Sequence, residues 1–356
     1  MRSTKRALTA VSATAIVALL AGCGGGGDAA SDDPNAKATL TFVAYGGAGQ
    51  QAMIDVYQKP YTAAHPNITF TNTSPPDISQ VKAQVLSKSV KWDVISLAPG
   101  VATQHCGELF EELDLSNVDK SNLVEGTLGK CYVGNWINAS PIAYRTDAFP
   151  DPAKAPKTVK DFFDLQKFPG KRGVLTNLQN GILEYPLLAD GVAPGSIYPL
   201  DVDRALKKLD TIRAQTTFAP TVGALQQAAA AGQVDMFILP DSRLVPLMND
   251  GTKLTVVWDV TVTALNGFAV PKGSPNRAAA KKFVESLVTP TAMAGISEAL
   301  GVAPVNKASK PNLSENAKKV EVFGPVNTGQ TVAQDVGWYA KNFDSATTKL
   351  NNWLVG

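Results

Sequence analysis

Short β-branched runs alternate with helical periodicity over residues 39–97, and this alternation restricts the possible folds more than any other feature of the chain. Thr39–Ala44 (TLTFVA) has the β-branched and aromatic content of a strand, and Gly46-Gly47 breaks it. Gln51–Thr62 then carries Met53, Ile54, Val56, Tyr57 and Tyr61 at helical spacing. Ile68–Thr71 reads as a second strand. Asp77 is placed to cap a helix whose apolar face is Ile78, Val81, Val85 and Leu86. Trp92–Leu97 (WDVISL) is apolar enough for a strand buried on both faces of a parallel sheet. A βαβαβ run of this kind predicts an α/β fold with ligand positions at the carboxyl ends of the strands.

The theme repeats downstream. Thr158 caps a helix bearing Phe162, Phe163 and Leu165, Gly173–Thr176 is a short strand, and Asp201–Arg213 turns Val202, Ala205, Leu206 and Leu209 inward. Gln226–Ala231 is helical, and Val234–Leu239 and Leu254–Trp258 are strands. Helices follow over Asn276–Val288, Pro290–Ala299 and Val336–Leu354. A body of about 320 residues exceeds one ordinary core, so two lobes are expected.

The first residues bear on location. Arg2, Lys5 and Arg6 precede an uncharged apolar run, Ala7–Leu20, and then Leu20-Ala21-Gly22-Cys23. A basic head, a short apolar stretch and small residues form an export leader, too short to span a membrane. The ending resembles the bacterial lipobox, in which the cysteine is lipidated and becomes the first mature residue. An ordinary leader with an incidental Cys23 is the alternative. The Gly-, Ala-, Asp- and Ser-rich stretch after it reads as a flexible leash. The expected organisation is a leader at 1–22 and a tether at 23–37. The partition assigns lobe 1 to 38–140 plus 265–330, lobe 2 to 141–264, and a C-terminal helical segment to 331–356.

Several function classes are disfavoured. Taking Arg2, Lys5 and Arg6 from 33 basic residues leaves 30 against 31 acidic ones, so the body has no basic excess to attract nucleic acid. Only His65 and His105 are available as histidine bases or ligands. No Gly-X-Ser-X-Gly elbow and no four-ligand cluster occurs, so neither a catalytic residue, a metal nor a cofactor is expected. With Cys23 assigned to lipid, Cys106 and Cys131 remain as an even pair in an exported chain, either disulfide-bonded or two buried thiols.

Tyr45-Gly46-Gly47 with Gln50, Trp92-Asp93-Val94, Cys106-Gly107 with Leu109-Phe110 and Cys131 begin a longer pattern. It continues in Phe162-Phe163-Asp164, Lys167–Gly173, Leu183-Glu184, Leu188–Val192, Lys208–Ile212 and Ala269–Asn276. In order and spacing these resemble the spermidine/putrescine-type family of extracellular solute-binding proteins of bacterial ABC transporters, over about residues 39–355. The resemblance implies a two-lobed periplasmic-binding-protein-like type II fold. Two crossover segments, near Asn138–Tyr144 and Val260–Val270, would form its hinge. It also implies capture of a small polar, amine-containing solute between the lobes, ABC permease subunits as partners, no enzymatic activity, and a monomer held outside the cell by lipid.

Candidate contacts follow from residue type and position. Tyr45, Gly46 and Gly47, with Gln50, lie where strand one gives way to its helix, and glycine lets backbone N–H groups approach a ligand. A plain βα turn is the alternative. Trp136 with Asn138 and Ser140 offers an aromatic wall beside polar groups, or a core tryptophan under the hinge. Glu184 aligns with an acidic amine-holding position of the polyamine binders, or is a solvated helix carboxylate. Asp241 stands at a strand's carboxyl end, or is a helix N-cap. The second crossover, where those binders carry an aromatic residue and an aspartate, has Ala264 and Asn266. A full polyamine site is therefore less well matched than a smaller amine or zwitterion.

Overall fold

The computed structural model describes residues 32–356. The expected leader, Cys23 and most of the tether lie outside the described residues. An eight-stranded sheet contains β1 (Ala38–Val43), β2 (Ile68–Thr73), β3 (Val94–Leu97), β4 (Leu128–Gly129), β5 (Tyr132–Ala139), β11 (Val260–Ala269), β12 (Ala303–Pro304) and β13 (Gln330–Ala333). A five-stranded sheet contains β6 (Ile142–Arg145), β7 (Arg172–Leu175), β8 (Thr216–Ala219), β9 (Met236–Ile238) and β10 (Leu254–Val257). Each sheet carries its own helices, so the α/β, two-lobed type II architecture holds.

In the first sheet β1 lies parallel between β2 and β3, and in the second β7 lies parallel between β8 and β9. Parallel neighbours need crossover helices that cover the sheet faces, and β3 and β7 are accordingly buried at every residue. The larger lobe centres on Phe42, Phe268 and Phe283, all fully buried, with the Phe42 and Phe268 rings 5.2 Å apart edge to face. Such a ring contributes roughly 1.5–3 kcal/mol by its burial. The expected helix over Gln51–Thr62 forms one continuous run, with a π-helical turn at Ile54–Gln58 between two α segments. Asp77 caps the next helix through the Ser79 N–H at 2.7 Å, and Thr158 closes a reciprocal capping box with Asp161.

Two motifs that stand 180 residues apart in sequence meet at Asp93. Its carboxylate accepts from Ser274 Oγ at 2.6 Å, from the Thr41 N–H at 2.7 Å and from Asn276 Nδ2 at 3.2 Å. Cys106 and Cys131 are disulfide-bonded, with 5.5 Å between Cα atoms and a separation of 25 residues. Closing that loop restricts the unfolded chain by roughly 3 kcal/mol.

The lobes are joined where β5 runs into β6, where β10 runs into β11, and where β13 leaves for the last helix. β11 is the common neighbour: Thr263 pairs with Ala139 of β5 on one side and Ala333 of β13 on the other. Residues 331–356, expected as helical, thus open as a strand, because β13 completes the exposed edge of β11. The helix Val336–Val355 follows, capped by Asp335. Its first half lies on the Pro99–Gln104 helix of the larger lobe, where a β-carbon on Gly100 would stand 2.8 Å from Tyr339 Cβ. Its second half is fixed to the smaller lobe. Lys349 pairs with Asp203 at 2.7 Å, Trp353 Nε1 donates to Asp210 at 2.9 Å, and the Arg213 guanidinium stacks 3.7 Å from the Trp353 ring.

Candidate functional site

Both sheets turn the carboxyl ends of their parallel strands toward the same gap, the position where open α/β sheets take ligands. β1 ends in Tyr45-Gly46-Gly47, β2 leads to Asp77 and β3 to Ala98, while β7 leads to Gln179 and β9 to Asp241 and Arg243. The ends meet across the gap, since Tyr45 Oη donates to Gln179 Oε1 at 2.9 Å. Tyr45 is 43% exposed, yet the surrounding protein pushes its hydroxyl pKa up to about 12 by desolvation. The ring is half open to solvent while its hydroxyl is held in the contact with Gln179. A cavity of about 130 Å³ lies there, lined by Tyr45, Asp77, Ser96, Gln179 and Phe343 among others.

Gly46 and Gly47 adopt φ of 72° and 59°, a left-handed region costly for a residue with a β-carbon. Their turn brings backbone beside Arg243, for a β-carbon on Gly47 would lie 3.6 Å from Nη1 and one on Gly49 3.5 Å from Nη2. Arg243 is only 9% exposed, and burial lowers its pKa. Among the described residues its guanidinium has no hydrogen-bond or ion-pair partner. A buried cation without a counter-ion is costly unless an anion completes the site.

The sequence-derived residues divide into two groups. Tyr45, Gly46 and Gly47 reach the gap. Asn266 lies one layer beneath, its Nδ2 donating to Ser96 Oγ at 3.1 Å and to Asn135 Oδ1 at 3.1 Å, so it orients a cavity residue from below. The others turn inward. Gln50 Nε2 donates to the Thr73 carbonyl at 3.1 Å and braces the end of β2. Trp136 is buried in the larger core, and its Nε1 donates to Asn138 Oδ1 at 2.9 Å; this is the hinge-core arrangement, not an aromatic wall. Ser140 Oγ donates to Asn180 Oδ1 at 3.0 Å.

Glu184 is fully buried, and neither a solvated nor a cleft-facing carboxylate. Its Oε1 accepts from Tyr198 at 2.7 Å, Tyr339 at 2.7 Å and Gln334 at 2.9 Å, and burial raises its pKa. Asp241 is also buried, accepting from the Ala139 and Ser242 N–H groups at 2.9 and 2.7 Å. It ties the helix start to the hinge strand. Asp241 and the Oε1 of Glu184 are taken up by intramolecular partners, whereas the Oε2 of Glu184 is buried with no hydrogen-bond partner among the described residues. Outside the sequence-derived set, Asp77, Ser96, Gln179 and Phe343 line the cavity, and Arg243 lies beside the glycine turn and not in that lining. Arg243 was within reach, being two residues past Asp241 at the same strand end, but a search for carboxylates passes over a cation.

No group of acidic, histidine or cysteine side chains fit to hold a metal occurs among the described residues, and no helix among them is long and apolar enough to cross a membrane. Comparison with known proteins agrees with the geometry. The chain is 29% identical over 324 residues to the gamma-aminobutyric acid-binding protein of Pseudomonas aeruginosa, covering 89% of this chain and 91% of that one. It is 31% identical to a GABA receptor of solved structure, with a TM-score of 0.79 and coverage of 89% and 97%. It is 28% identical to the AgtB binding protein of A. tumefaciens R10 solved with agropinic acid, with a TM-score of 0.79 and coverage of 90% and 99%. A spermidine/putrescine-binding protein of Streptococcus pneumoniae shares the fold at 13% identity and a TM-score of 0.64. The family described as bacterial extracellular solute-binding protein matches residues 56–323, and this chain belongs to it, as a protein that binds a small solute and not as an enzyme.

Proposed function

We propose that the chain captures a small amino-carboxylate between its lobes and delivers it to the permease of an ABC importer, held outside the cell by a lipid on Cys23. The observation that carries the solute class is Arg243, a buried guanidinium beside the Gly46-Gly47 turn with no counter-ion among the described residues. A guanidinium matches a carboxylate with paired hydrogen bonds, and the glycine turn leaves backbone N–H groups free to assist. The amine end falls to the other side of Tyr45. There the ring face and Asp77, whose Oδ1 caps a helix, border the cavity. Relatives named for gamma-aminobutyric acid support this reading. A polyamine fits poorly, because the position that would balance a second ammonium is the neutral Asn266, and Arg243 repels a multiply charged cation.

The test is calorimetric titration with 4-aminobutyrate, putrescine, spermidine and glucose. Binding of 4-aminobutyrate is expected and binding of the polyamines is not. Arg243→Gln removes the charged partner of a desolvated pair, a loss of about 2 kcal/mol or more, so 4-aminobutyrate should bind roughly thirtyfold more weakly or worse. Polyamine or sugar binding to the native chain, or an Arg243→Gln protein that binds 4-aminobutyrate as before, would sink the proposal.

A further inference from the structure

We propose that Phe343 of the C-terminal helix forms the closed end of the interlobe cavity and sets the longest solute the site accepts, an inference that rests on the solute lying in that cavity. Most of the cavity lining comes from the strand ends and helix starts of the larger lobe, with Gln179 reaching in from the smaller lobe, but Phe343 comes from neither sheet. Its ring packs against apolar clusters of both lobes, so it seals the seam between them. Behind it lies a second space of only about 20 Å³, lined by Gln179, Gln334, Tyr339 and Phe343 among others. That is room for about one water, so a longer solute gains nothing by reaching past the ring.

The backing of the ring is rigid. Tyr339, one turn earlier and with its ring centroid 6.5 Å from that of Phe343, donates to the buried Glu184 at 2.7 Å. Gln334 donates to the same oxygen at 2.9 Å. A wall held this way cannot swing aside when a longer molecule enters, and shape selection by fixed apolar walls follows from the cost of overpacking.

The test measures dissociation constants of 4-aminobutyrate, 5-aminopentanoate and 6-aminohexanoate for the full native chain, Phe343→Ala and Trp353→Ala. Each methylene that finds apolar room is worth about fourfold. The ratio of the 6-aminohexanoate to the 4-aminobutyrate constant should therefore fall by at least about tenfold in Phe343→Ala. Trp353→Ala loosens the far end of the same helix and should leave the ratio unchanged. A ratio that does not move in Phe343→Ala, or moves equally in Trp353→Ala, overturns the inference. Should the native chain bind none of the three, the amino-carboxylate reading fails separately, and a crystal structure of Phe343→Ala decides this one. Space continuous with the cavity upholds it; space filled by neighbours or opening to bulk solvent overturns it.

Discussion

Asp241 accepts two backbone N–H groups at the start of a helix, an arrangement that favours the charged form, yet burial outweighs them and raises its pKa from 3.8 to about 8. The folded state therefore prefers the protonated acid. The stabilisation is fully present below the unfolded pKa of 3.8 and is lost as pH rises toward about 8. Asp241→Asn keeps an acceptor for one N–H and cannot ionise. It should raise the melting temperature at pH 8, shift it little at pH 4, and flatten the decline between, as followed by calorimetry in a pH series. An unchanged slope would show that Asp241 does not titrate in that window. Residue type and position alone place Tyr45 and the glycine turn at a strand end, because conformational need and strand-end placement are local properties. They did not foretell that Gln50, Glu184 and Asp241 hydrogen-bond within the protein. A carboxylate near a strand end looks the same in sequence whether solvent, solute or three protein donors surround it, and Tyr339 and Gln334 lie about 150 residues from Glu184.

At the scale of elements, helices and parallel strands were largely legible, since caps such as Asp77 and Thr158 and apolar spacing are encoded nearby. The later additions to the larger sheet were not: β11 pairs antiparallel with β5 and parallel with β13, each more than sixty residues away, and nothing local announces β13. The C-terminal helix was legible as a helix but not as a bridge between lobes. Its approach to the Pro99–Gln104 helix depends on Gly100, because a β-carbon there would stand 2.8 Å from Tyr339 Cβ and 3.3 Å from the Ala340 nitrogen. Salt bridge, stacking and the Glu184 cluster fasten this helix to the smaller lobe, so opening of the cleft should part it from Gly100. Gly100→Ala then penalises the closed form by about 1–3 kcal/mol, the range for overpacking. Solute affinity should fall roughly tenfold while the melting temperature of the solute-free chain barely moves. Calorimetry with and without 4-aminobutyrate checks both, and a drop in solute-free stability with affinity intact would place the contact in both states.

At the scale of the molecule, the two-lobed division followed from length and from the repeated strand–helix alternation, while the relation of the lobes required the sheet register. Lipidation of Cys23, proposed from the lipobox resemblance, belongs to this scale because it positions the whole body. Cys23→Ser should move the protein from the membrane fraction to the soluble fraction with its solute affinity unchanged; undiminished membrane retention would exclude the anchor. The pairing of Ala139, Thr263 and Ala333 side by side has a mechanical consequence. Three chain passages cross between the halves along one row of hydrogen bonds, like a sheet of card scored once. Bending along that crease is cheap, whereas twisting or sliding would tear the row, so the halves have a single angle to vary. A transporter reading this protein then needs to sense only that angle to know whether cargo is aboard.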